Sequence, residues 1–169
     1  MGVTIHFEGQ IRDQESYELL IAAAREFAKK NRWLSEPIDA ENVVLKRVQN
    51  EKDLDYQGPV KGIVLYPHED CDPFRLEFDR DLYIQEYIKT QFAGTAIHET
   101  VIRLFQIIKP YFKSFEVFDE GEFWETQDST ILEKHFQAFY RALDDELKKY
   151  PEAKVKVKLP SGRIVDLMT

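Results

Sequence analysis

Phe74-Arg75-Leu76-Glu77-Phe78, Asp79-Arg80-Asp81 and Leu82-Tyr83-Ile84-Gln85-Glu86-Tyr87-Ile88 follow one another without interruption. In the first run Phe74, Leu76 and Phe78 alternate with Arg75, Glu77 and Asp79, the period of a strand with one wet face. The last run, expected to continue to Phe92, sets Ile84 and Ile88 on one face and Tyr83 and Tyr87 on the other. Asp79-Arg80-Asp81 is too short for a crossover, so the two strands must be antiparallel neighbours.

The same logic extends in both directions. Residues 60–66 are apolar on both faces apart from Lys61 and read as a central strand. Residues 68–73 make a turn. Residues 42–48 read as a strand and 49–59 as a polar loop punctuated by Gly58-Pro59. Ser35-Glu36-Pro37 is expected to break regular structure. Near the N-terminus Val3, Ile5, Phe7 and Ile11 alternate with Thr4, His6, Glu8 and Gln10, which predicts a strand and not a signal peptide. Asp13 is a suitable N-cap for a helix over 14–31, whose stripe is Tyr17, Leu20, Ile21, Ala24, Phe27 and Ala28.

Downstream, Ile97, Val101, Leu104, Phe105, Ile108 and Phe112 form the stripe of a second helix, with Thr95 as its expected cap and Pro110 near its end. Glu99 and Arg103 are spaced for an ion pair on its outside. Residues 115–118 read as a short strand. A third helix carries Leu132, Phe136, Phe139, Tyr140, Leu143 and Leu147, with Thr130–Glu133 as a capping box and Asp128 as a competing cap. Val155, Val157 and Leu159 alternate with lysines, and Pro160-Ser161-Gly162 turns the chain into a terminal hairpin. The fold expected is a single α+β domain over 1–169, a mostly antiparallel sheet with three helices on one face, a two-layer sandwich.

Composition narrows the function classes. The chain has 169 residues, a net charge of −8 and one cysteine, Cys71. That charge disfavours binding to nucleic acid or to anionic membranes, because both depend on basic residues. One thiol allows no internal disulfide and no thiolate-rich zinc site, so a cytoplasmic location is expected. No Walker loop, dinucleotide fingerprint or nucleophile elbow occurs, and no cofactor is expected.

The segment with the most chemistry is Phe115-Glu116-Val117-Phe118-Asp119-Glu120-Gly121-Glu122-Phe123-Trp124-Glu125-Thr126. No basic residue interrupts the chain between Lys113 and Lys134. Asp119, Glu120 and Glu122, with His98 from the second helix, are the candidate catalytic set of a hydrolase that could use a divalent ion. The plain alternative is a solvated turn before the third helix, with acids favoured by its dipole. In an extended chain Asp119 and Glu125 would share one face and Glu120 and Glu122 the other. Phe123, Trp124 and Glu125 are candidate binding residues, since an aromatic between carboxylates can stack on a ring or a cation. The competing role for both rings is core packing, and for His98 a core histidine with one bonded nitrogen. The spacing matches neither an EF-hand nor the helical zinc-protease pattern, and no metal site is assigned. His68, Glu69, Asp70 and Asp72 sit in one turn, where solvation is the expected role. Negative charge beside Cys71 should raise its pKa and argues against a reactive thiolate.

Thr90-Gln91-Phe92-Ala93-Gly94 through His98, together with Asp119-Glu120-Gly121-Glu122-Phe123-Trp124-Glu125-Thr126, resembles a group of uncharacterised bacterial α+β proteins. The resemblance covers residues 90 to 128 and implies no known activity. That group has a glycine after Trp-Glu-Thr where this chain has Gln127, which implies a different turn.

Three functions remain open from sequence. The first is a noncatalytic cytosolic binding or interaction protein that uses the acidic-aromatic segment, with a protein or small molecule as its ligand. The second is the His/carboxylate hydrolase. The third is a structural or oligomerising domain. The basic end made by Lys148, Lys149, Lys154, Lys156, Lys158 and Arg163 would complement the acidic segment of a second copy, which makes a homo-oligomer part of the expectation.

Overall fold

A computed structural model describes residues 2–169. Strand β1 (Thr4–Ile11) leads into helix α1 (Gln14–Lys30), capped by Asp13, whose carboxylate accepts the Ser16 amide at 2.8 Å. Strand β2 (Leu34–Leu45) is followed by a tight hairpin, β3 (Val48–Gln49) and β4 (Lys52–Asp53), and then by β5 (Tyr56–Tyr66). β6 (Phe74–Phe78), β7 (Tyr83–Lys89), helix α2 (Thr95–Ile108) and a single 3-10 turn (Lys109–Tyr111) precede β8 (Phe112–Asp119). Helix α3 (Phe123–Thr126), helix α4 (Ser129–Lys149) and the hairpin β9 (Lys154–Lys158) and β10 (Ile164–Met168) complete the chain.

Every strand pairing among the described residues is antiparallel. The two main sheets run β7-β1-β8 and β2-β5-β6, so β6 and β7, though joined by the short Asp79–Tyr83 turn, do not form the antiparallel pair expected of them and lie in separate sheets. The Asp79 carboxylate shapes that turn by accepting the amides of Asp81 (2.8 Å) and Tyr83 (3.1 Å). The α+β architecture therefore stands. Its inner face is lined by Ile5, Phe7, Phe74, Leu76 and Phe78, against which α2 places Phe105. Phe105 is fully buried, 4.7 Å from Phe7 and 5.2 Å from Phe74 between ring centroids. Rings at these separations contribute about 1 kcal/mol per pair beyond the area they bury. Helix α1 packs on β1, β2 and β5, whereas α4 packs outside on α2 and α3.

Several local expectations are corrected. Pro37 does not break the chain: it lies within β2, opposite Ile63. β2 is the outermost strand of its sheet, where a missing N–H costs no ladder bond. Residues 49–59 are not a loop throughout, because Asn50 and Glu51 take positive φ (51° and 63°) and close the β3–β4 hairpin. Gly94, and not Thr95, precedes α2 as its cap residue, with no side-chain cap bond. Glu99 turns to the Ser129 hydroxyl and Arg103 to Thr100, so the anticipated Glu99–Arg103 pair is not made. Asp128 wins the cap of α4, accepting the Thr130 amide at 2.8 Å. No helix among the described residues is long and apolar enough to cross a membrane.

Candidate functional site

The acidic segment divides into three histidine pairs that point in three directions. Asp119 ends β8 and turns inward, where its Oδ1 accepts from His98 Nε2 at 2.9 Å. His98 is 0% and Asp119 3% exposed. Glu120 accepts from His6 Nε2 at 3.1 Å on the opposite side of the sheet. Glu122 accepts from His135 Nε2 of α4 at 2.6 Å. The candidate catalytic residues His98, Asp119, Glu120 and Glu122 thus share no cleft. No cluster of three or more His, Cys, Asp or Glu side chains is arranged to hold a metal among the described residues.

The Asp119 carboxylate is fully committed. Oδ1 also accepts the Gly121 amide (2.8 Å), and Oδ2 accepts the amides of Phe123 (2.9 Å) and Trp124 (3.0 Å). Burial opposes its ionisation, but the His98 hydrogen bond and charge, with the Trp124 and Gly121 amides, hold its pKa below the ordinary carboxylate value. Behind His98, Nδ1 lies 2.7 Å from the Thr90 hydroxyl, which bonds the Val3 carbonyl at 3.0 Å. This chain of bonds ties Val3 just ahead of β1, the β7–α2 connection, α2, the end of β8 and the start of α3 together. Gly121 is required by close approach: a Cβ there would meet Leu132 Cδ1 at 2.6 Å and His98 Nε2 at 3.1 Å. Asp119 is therefore sealed inside, contrary to the solvated turn expected for it. The chain also does not stay extended beyond it, so Asp119 and Glu125 share no face.

Phe123 and Trp124 belong to the core side of α3. Phe123 is buried, and Trp124 stands edge-on to Phe105 (6.4 Å) and Phe115 (6.3 Å). The outer face of the Trp124 ring carries the Lys109 ammonium at 5.6 Å. Glu125 is exposed. Gln127 adopts a left-handed φ of 53°, the conformation a glycine takes without strain, and its side-chain amide offsets the cost by donating to the Phe123 and Trp124 carbonyls. In the other acidic turn, His68 Nδ1 accepts the Asp70 amide at 3.0 Å, and Asp72 is wholly buried. Asp72 accepts the amides of Lys89 (3.0 Å) and Ile164 (2.9 Å) and so anchors the C-terminal hairpin. Burial, reinforced by Asp72, pushes the Cys71 thiol pKa well up.

A concave feature lies on the outer face of β7-β1-β8. A groove of about 600 Å³ is walled by Val44, Leu45 and Lys46 at the end of β2 and by Ser161 and Arg163 of the terminal hairpin. Register builds its floor in rows. Phe118, His6 and Tyr87 lie side by side on β8, β1 and β7, with His6 5.8 Å from Phe118 and 6.0 Å from Tyr87 between ring centroids. The next row is Glu116, Glu8 and Gln85. Phe118 is 65% exposed, in contrast to Phe123 and Trp124. Tyr83 donates to Glu8 at 2.5 Å, and burial together with that bond pushes its pKa up to about 12. Arg75 and Glu77 of β6 extend the lining, and burial raises the Glu77 pKa against the pull of Arg75.

Glu116 and Phe118 belong to the acidic-aromatic segment and Arg163 to the basic end, but nothing in the sequence joins them with His6, Glu8 and Tyr87 in one recess. The available signal was the even-numbered face of β1, where His6 and Glu8 had to point outward. Nothing local tells that face which strands flank it. Comparison with protein-family models, with curated proteins and with solved structures gives no match.

Proposed function

We propose that this chain is a noncatalytic bacterial cytosolic binding protein whose ligand site is the groove on the outer face of β7-β1-β8. The acidic-aromatic segment takes part through Glu116 and Phe118, not through Phe123 and Trp124. The single observation that supports the reading is the aromatic row Phe118–His6–Tyr87 in a recess of about 600 Å³, with Phe118 and His6 open to solvent and Tyr87 beneath Arg163. A large ring left 65% exposed on a regular strand loses its burial energy unless something covers it. Pockets of this size, with rings and a few convergent polar groups, suit small molecules. The hydrolase reading draws no such support, because His98 and Asp119 touch each other inside the core and line no recess.

The test is an amide-resolved NMR screen of the intact chain against a chemically diverse fragment set. Hits that move His6, Tyr87 and Phe118 in the wild type, and lose that effect in Phe118→Ser, are expected. Hits confined to other surfaces, or unaffected by Phe118→Ser, would overturn the proposal.

A further inference from the structure

The chemistry of the groove selects a class of ligand, given that the groove is the binding site. Glu116 and Glu8 are directly opposite one another on paired strands, both facing the recess. Side chains so placed have Cβ atoms roughly 5 Å apart, and like charges there weaken the pairing. One oxygen of Glu8 takes the Tyr83 hydroxyl (2.5 Å) and the Gln85 amide (3.2 Å). Glu116 makes no ion pair among the described residues.

The cations of the groove do not relieve this. Arg163 lies over the Tyr87 ring at 4.1 Å and bonds Glu86 and Asp72. Lys46 holds Asp55 at 2.9 Å, and His6 is turned to Glu120. Arg75 donates to the Ser161 carbonyl at 3.2 Å. What the recess offers a visitor is therefore a pair of carboxylates beside the open rings of Phe118 and His6.

We propose that the groove binds a small organic cation with an apolar body. The ammonium sits between Glu8 and Glu116, and the body lies on Phe118 and His6, with Tyr87 and its covering Arg163 at the end of the row. Two residues along a strand span about 7 Å, the reach of an ammonium held a short aliphatic link from a ring. A charge-assisted contact to two carboxylates removes their mutual repulsion, and the rings add surface and cation–π attraction. The walls formed by Val44–Lys46 and by Ser161 with Arg163 favour a compact ligand over an extended peptide.

The test compares three probes of one shape on the intact chain by NMR titration: 2-phenylethylammonium, 2-phenylethanol and 3-phenylpropanoate. The ammonium compound should move the amides of Glu8, Gln85, Glu116 and Phe118 and bind at least tenfold tighter than the other two. Glu116→Gln, with its fold checked by circular dichroism, should weaken the ammonium compound at least fivefold and leave the alcohol unchanged. If the alcohol or the carboxylate moves the same amides as strongly, the cation assignment is wrong and the groove stands as a site. If no probe moves them, the groove reading falls too. A lysine-containing peptide that binds more tightly than the free amine overturns the choice of a small ligand.

Discussion

His98 Nε2 of α2 lies 2.9 Å from Asp119 Oδ1 at the end of β8, and neither residue is open to solvent. A buried hydrogen-bonded pair contributes modestly when complete, but removing one partner leaves the other's buried polar atoms without relief. Asp119→Ala also strands the amides of Gly121, Phe123 and Trp124. It should cost about 3–5 kcal/mol, read from urea unfolding curves of the variant against wild type. A cost below about 1 kcal/mol would mean the pair is not the internal tie described above.

The same carboxylate sets a pH dependence. Its pKa in the folded chain is below the value of 3.8 it has when unfolded. In that window the unfolded state binds more protons, so stability rises with pH. The contribution is complete above the unfolded value and is lost as pH falls through the folded one. Wild type should lose stability steeply as pH falls below 3.8, and Asp119→Asn should show a shallower slope there. Equal slopes in the two proteins would assign the acid sensitivity to other groups.

Cys71 is 3% exposed, and burial together with the adjacent Asp72 carboxylate pushes its thiol pKa up. A thiol without accessible thiolate does not react with disulfide reagents. The native chain should stay unlabelled by Ellman's reagent over hours at pH 8 and release one equivalent on adding urea. Rapid labelling without denaturant would show that the 68–73 turn opens readily.

Gly62 sits in the middle of β5 with φ of 155°, and a Cβ there would collide with the Leu76 carbonyl of β6. Relief requires moving the two strands apart along the register that pairs Ile63 with Leu76. Gly62→Ala should cost about 3 kcal/mol or more, measured by thermal unfolding, while Gly94→Ala, which has open space around it, should cost less.

What sequence could reveal here was short-range. Alternation in β1, β6 and β7 is visible because side-chain direction depends only on neighbouring residues, but the pairing inferred from the short Asp79–Asp81 turn does not form, since β6 and β7 go to separate sheets. The position of β1 between β7 and β8 was not visible, since its partners lie some 80 and 110 residues away. Without that order Glu116 and Glu8 could not be seen as opposite, nor Phe118 and Tyr87 as flanking His6. Pro37 misled because breaking a ladder matters only where there is a neighbour to lose, and β2 has none on that side. Asp119 misled because its composition is that of a solvated turn. Its true role depends on four donors, three of which come from backbone that folds back only when α3 forms.

Glu116 separates stability from binding within one residue. In the free chain it faces Glu8 across the β1–β8 pair and draws no counter-charge from the groove. Neutralising it removes a repulsion, so Glu116→Gln should stabilise the fold by up to about 1 kcal/mol, and more at low salt than at high salt, because the groove is open to solvent. The same change takes away half of the proposed cation seat, so affinity for 2-phenylethylammonium should fall as stability rises. Glu116→Lys carries the argument further. Its ammonium can pair with Glu8 directly, so the variant should be at least as stable as Glu116→Gln and should bind the probe more weakly still. Urea unfolding at two salt concentrations and a probe titration on the same three proteins measure both trends. Stability and affinity that fall together would mean that Glu116 acts as a structural residue of β8, and the opposed carboxylates would no longer argue for a ligand.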